Sequence, residues 1–191
     1  MECREQLCDI AFENIVWCHS ENNALHHFKS VSFVKGVLDF ENPENIPTLI
    51  VLDDLMDTAY STKVSQLFTK GSPHRNISVI LITQNLIHQC PLSRAISLNS
   101  KYIVVFKNPR NKTHIVYLAR KFYPENISVF QNTYLEVCND PHTYLFFDLT
   151  QPINDLLRFR IKIFPGETTE GFAPVPVNEP VEVAATLPSR T

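Results

Sequence analysis

The sequence predicts a three-layer α/β domain built on a mainly parallel sheet. Three observations carry that expectation. Short β-branched runs alternate with longer mixed segments, several runs are apolar throughout instead of alternating, and the gaps between them have room for crossover helices. In order, the candidate strands are Ile15–Cys18, Thr48–Leu52, Ile77–Thr83, Tyr102–Phe106 and Thr143–Asp148. Candidate crossover helices include Thr58–Lys70, closed by Gly71, and Thr113–Phe122. Residues 1–164 are expected to form the domain. Residues 165–191, PGETTEGFAPVPVNEPVEVAATLPSRT, are rich in proline and glutamate with little periodicity, and are expected to form a disordered or extended tail.

Composition narrows the function classes. The chain has 191 residues, 44% of them hydrophobic, which is enough to build a core. No run of 18 apolar residues occurs, so no spanning helix and no membrane partner are expected. The first residues, MECREQLCDIAFEN, lack the basic-then-apolar profile of a signal peptide. Five scattered cysteines with no CxxC pair point to reduced thiols inside the cell, with nucleus and cytoplasm both open. Trp17, Phe33 and Phe106 are expected in the core, and His26-His27 on a solvated helix.

The net charge of −3 conceals an asymmetry. Residues 1–57 hold eleven acids against three bases, whereas residues 58–124 hold ten bases and no acid. Solvated faces normally mix the two signs, so an acid-free stretch points to a phosphate partner, either a nucleotide or a nucleic acid. Pairing of those bases with the acidic N-terminal third is the competing explanation. KNPRNK, residues 107–112, is a candidate contact for phosphate or DNA backbone.

Two motifs carry chemistry. In PTLIVLDDLMD, residues 47–57, a buried strand delivers Asp53 and Asp54 to its carboxyl end, where open α/β sheets bind ligands. Adjacent carboxylates there suit Mg²⁺, with Asp53 holding the metal through its water shell and Asp54 polarising an attacking water. Acids after a strand also serve as helix caps, so this motif alone leaves both roles open. The second motif follows 31 residues later, where SVILIT ends in Gln84-Asn85. The Gln84 amide can hydrogen-bond a γ-phosphate oxygen and a lytic water. Arg75 precedes the same strand, at the opposite edge of the sheet from Gln84, and so could reach a neighbouring subunit's nucleotide.

Taken together, these residues resemble the genome-packaging ATPases of the FtsK/HerA superfamily, in the branch of Polinton/Maverick elements and adintoviruses. The resemblance runs through VWCHSE (16–21), FVKGVLDF (33–40), PTLIVLDDLMD, LFTKGSPHRNISVILITQNLIHQ (67–89), SLNSKYIVVFKNPRN (97–111), YLFFDLTQ (144–151) and LLRFRIKIFPGE (156–167). It implies a P-loop NTPase fold of the ASCE type, with Asp53 and Asp54 as the Walker B pair, Gln84 as the polar sensor and Arg75 as the arginine finger. It also implies Mg²⁺ and ATP as cofactors, a ring of copies of the chain, usually a hexamer, and double-stranded DNA driven into a capsid. Capsid or portal proteins would then be further partners.

One departure bears on activity. None of the four glycines, Gly36, Gly71, Gly166 and Gly171, lies in a G-x-x-x-x-G-K-[ST] pattern, the loop that would cradle the phosphates. The family's first strand and P-loop would precede Met1, as in a truncated gene model or a decayed copy. The expectation is therefore that residues 1–191 alone hydrolyse no ATP and fold only with help. A non-catalytic protein that keeps the oligomer-forming or DNA-binding surfaces is the alternative.

Overall fold

The computed structural model describes residues 8, 10–20, 30–55, 59–71, 75–84, 90–108, 113–122, 124, 127–139, 142–154 and 157–172. The chain forms two compact units, residues 1–100 and 101–191. His26-His27 and residues 109–112 of the basic loop lie outside the described residues.

Unit 1 is built on a four-stranded, all-parallel sheet. Its strands are β1 (Asn14–His19), β2 (Ser32–Lys35), β3 (Thr48–Asp53) and β4 (Ile77–Ile82), in the order β2-β1-β3-β4. The interior strand β3, TLIVLD, is buried at every position but the last. That is why its sequence is continuously apolar. Helix α1 (Thr62–Gln66) starts where Ser61 accepts a hydrogen bond from the Val64 amide, and it runs into a π turn at Leu67–Gly71. Helix α2 (Pro91–Asn99) is capped by the Cys90 sulfur, which accepts from the Ser93 amide at 3.3 Å, with proline at its first position. Val64, Leu67 and Ile96 from these segments pack with Val16, Cys18, Ile50, Leu52 and Ile77 on one sheet face. On the other face Ile15, Leu49 and Val51 gather with Phe12, Trp17 and Val31.

Unit 2 pairs β5 (Tyr102–Phe106), β6 (Tyr144–Asp148), β7 (Phe159–Ile161) and β8 (Glu170–Phe172) in a purely antiparallel sheet of that order. Helices α3 (Thr113–Phe122) and α4 (Ile127–Val137) lie between β5 and β6 in the chain. Phe130 of α4 sits 5.2 Å from Phe147 and 5.5 Å from Phe159, ring centre to ring centre. The protein is thus mixed α/β with a parallel sheet, but Tyr102–Phe106 and Tyr144–Asp148 do not extend that sheet. Apolar strands of equal length fit either pairing, and the direction in which a strand returns is set by the crossover, not by its composition. Strand β8, paired with β7, lies beyond Phe164, within the stretch 165–191 expected to be a disordered or extended tail outside the domain, while residues 173–191 lie outside the described residues.

The four described cysteines, Cys8, Cys18, Cys90 and Cys138, are free thiols. Burial raises the Cys18 thiol above the ordinary value of 9.0, with a backbone hydrogen bond at Leu38 opposing part of the rise. Burial likewise raises Cys138 and the phenols of Tyr60, Tyr134 and Tyr144. The sign follows by linkage. Above about pH 9 the unfolded thiols lose protons that the folded ones keep, so stability is full below that pH and falls above it. Urea melts at about pH 8 and about pH 10 should therefore show a lower midpoint at the higher pH. Cys18→Ala should flatten that alkaline loss, and an unchanged loss in the variant would rule the thiol out as a contributor.

Candidate functional site

Parallel strands bring all their carboxyl ends to one edge, and register decides which residues meet there. His19, Asp53 and Ile82 stand level at the ends of β1, β3 and β4. Alternation along the strands puts Trp17, His19, Val51, Asp53, Ile80 and Ile82 on the sheet face opposite α1 and α2. There the Trp17 indole Nε1 donates to Asp53 Oδ2 at 3.2 Å, fixing the carboxylate. His19 is 5% exposed, with its ring 6.5 Å from that of Phe33. Gly36 holds this corner, adopting a φ of +81° while its amide donates to the His19 carbonyl at 2.9 Å. A side chain there would be strained by the left-handed backbone itself, since open space surrounds the glycine.

Asp54 takes an uncommon conformation. Its φ is +49°, a region that aspartate enters at moderate cost and most residues avoid. The amide donates to the Ile82 carbonyl at 3.4 Å, which ties the turn after β3 to the end of β4. The Asp54 Oδ1 atom is buried and has no hydrogen-bond partner. A buried carboxylate oxygen without a partner is costly, and such groups concentrate at sites that meet a ligand or water. Gln84 follows two residues after Ile82 and is exposed at the same edge. Tyr60 closes the corner from the other side through a hydrogen bond with the Thr83 side chain.

Arg75 is held elsewhere. It lies at the amino end of β4, with the six-residue strand, about 20 Å long, between it and the Asp53 edge. Its guanidinium donates to the Phe40 carbonyl at 3.2 Å, and its own carbonyl accepts from Asn42 Nδ2 at 2.7 Å. The structure thus brings Asp53, Asp54 and Gln84 to one edge of the sheet and sets Arg75 at the other.

Trp17, expected as core packing, does pack against Ile15, Leu49 and Val51 and in addition anchors a site carboxylate, and His19 shares its face. The signal for both was the two-residue period of IVWCH read against Asp53 on the neighbouring strand, but that reading requires the register. Phe106, by contrast, is not in the core, being 61% exposed because it lies on the open face of β5.

Among the described residues no group of three or more His, Cys, Asp or Glu could hold a metal ion. Two carboxylates do fit Mg²⁺, which keeps most of its water and takes its remaining ligands from phosphates. Asp53, already accepting from Trp17, suits a water-mediated contact, and the orphaned Asp54 Oδ1 is an acceptor for a bound water. No helix among the described residues is long and apolar enough to cross a membrane. Compared with protein-family models, characterised proteins and solved structures, the chain matches none.

Proposed function

We propose that the carboxyl edge of the parallel sheet is an ATP–Mg²⁺ site inherited from a DNA-translocating packaging ATPase of the FtsK/HerA type, with a P-loop NTPase fold. The observation that carries this reading is the Asp53-Asp54 pair, one carboxylate anchored by Trp17 and the next held in a left-handed turn with an orphaned oxygen. Bound Mg²⁺ would offset the charge of the phosphates. Asp53 would hold the metal through its water shell, Asp54 would take a proton from the attacking water, and the Gln84 amide would hydrogen-bond that water and the γ-phosphate. Arg75, remote from these three, is assigned to a neighbouring subunit's nucleotide in a ring. Double-stranded DNA as the cargo is supported by the acid-free stretch 58–124, and capsid or portal contacts by the ordered motifs alone.

A second reading has its own observation. The sequence contains no G-x-x-x-x-G-K-[ST] loop, which favours a non-catalytic protein that assembles or binds DNA. Trp17 separates the two because it is the sole tryptophan and touches Asp53. Titration of the chain with Mg²⁺–ATP should change its emission in a weak but saturable way, and Asp53→Asn should abolish the response. A flat titration, or an equal response in Asp53→Asn, removes the nucleotide site and leaves the second reading.

A further inference from the structure

Trp17 stands opposite Val51 on β3, so its indole reaches one side chain further along the same face to meet Asp53. Packing holds the ring on the sheet: Ile15, Leu49 and Val51 gather with it, and Phe33 lies 6.4 Å away, ring centre to ring centre. The N–H therefore approaches Asp53 from a set direction, donating to Oδ2 at 3.2 Å and leaving Oδ1. Among the described residues no other donor meets this carboxylate.

That single bond bears on which cation the edge accepts. The indole N–H can only donate, and it aims its positive hydrogen at Oδ2. A cation chelated by both oxygens would meet that charge and break a charge-assisted hydrogen bond. A cation at Oδ1 alone, or one of its waters there, does neither. Mg²⁺ keeps several waters and needs only one or two carboxylates, whereas Ca²⁺ takes about six to eight oxygens and often draws two from one carboxylate. Discrimination arises as readily from a penalty on the wrong ligand as from a contact with the right one.

We propose that Trp17 is the specificity-determining residue of the cation site, holding Asp53 to one available oxygen and so favouring Mg²⁺ over Ca²⁺. The inference rests on the proposed Mg²⁺ role of Asp53. It gives the indole N–H a task that packing alone does not require.

The test follows Mn²⁺ by electron paramagnetic resonance with the full chain, and displaces it with Mg²⁺ or Ca²⁺. The wild type should release Mn²⁺ to less Mg²⁺ than Ca²⁺. Trp17→Phe should keep Mn²⁺ and shift the ratio of the two displacing concentrations toward Ca²⁺ by about tenfold or more, the usual effect of a residue behind a metal ligand. Phe33→Leu disturbs the same packing with the N–H in place, and should leave the ratio unchanged. Because Trp17 is the sole tryptophan, biosynthetic replacement by benzothienylalanine, a ring of the same shape with sulfur for the N–H, repeats the measurement if phenylalanine loosens the fold. An unshifted ratio in the Trp17 variants, or an equal shift in Phe33→Leu, overturns the specificity role even where Asp53→Asn loses Mn²⁺. No Mn²⁺ binding by the wild type, or binding that Asp53→Asn leaves intact, overturns the cation site itself and the specificity role with it.

Discussion

Asp54→Asn is expected to slow ATP turnover by about 10²–10⁴-fold in a chain supplied upstream with a strand and a G-x-x-x-x-G-K-[ST] loop, the usual contribution of a positioned general base. The amide keeps the size of the carboxylate and cannot take the proton. Asparagine tolerates the left-handed backbone of this position, whose φ is +49°, as readily as aspartate does. It also removes a charge from a buried oxygen that lacks a partner. The variant should therefore melt at the same temperature as its parent or higher and still bind Mg²⁺–ATP. That combination, stability kept and turnover lost, separates a catalytic carboxylate from a capping one. A turnover loss below about tenfold would reduce Asp54 to a structural turn residue.

Phe147→Ala should destabilise unit 2 by about 3–5 kcal/mol, a large share of the roughly 5–15 kcal/mol that holds a domain folded. Phe147 is fully buried, with its ring centre 5.3 Å from Phe159 and 5.2 Å from Phe130, so truncation opens a cavity among three aromatic rings. Phe106→Ala, from the neighbouring strand, should cost about 1 kcal/mol or less because the ring faces solvent. Denaturant melts of the two variants measure the contrast directly. Similar costs for both would mean that the outer face is covered in solution as fully as the inner one.

Much of the local structure was legible in the sequence. The runs around Ile15, Thr48, Ile77, Tyr102 and Tyr144 are strands, and Thr113–Phe122 is a helix with the expected bounds. Short continuous apolar and β-branched runs bounded by turn residues are characteristic of buried strands. Strand β2, the short strands β7 and β8, and helices α2 and α4 were not read, because short or mixed segments carry weak periodicity and become ordered through their neighbours. Helix α1 begins at Thr62, four residues after Thr58, because Ser61 supplies the cap.

For the candidate site, the sequence alone selected Asp53, Asp54, Gln84 and Arg75, since strand ends and their spacing are one-dimensional features. It also shows the acid-free stretch 58–124. Only the tertiary structure decided that the strands divide into a parallel and an antiparallel sheet, that Trp17 anchors Asp53, and that Asp54 turns left-handed with an orphaned oxygen. It also decided which aromatics lie in the core: Phe147 is fully buried and Phe106 is 61% exposed. The physical reason is common to all of these. A strand's sequence states which residues share a face, but which face is buried, and what stands opposite it, is set by pairing register with residues distant in the chain.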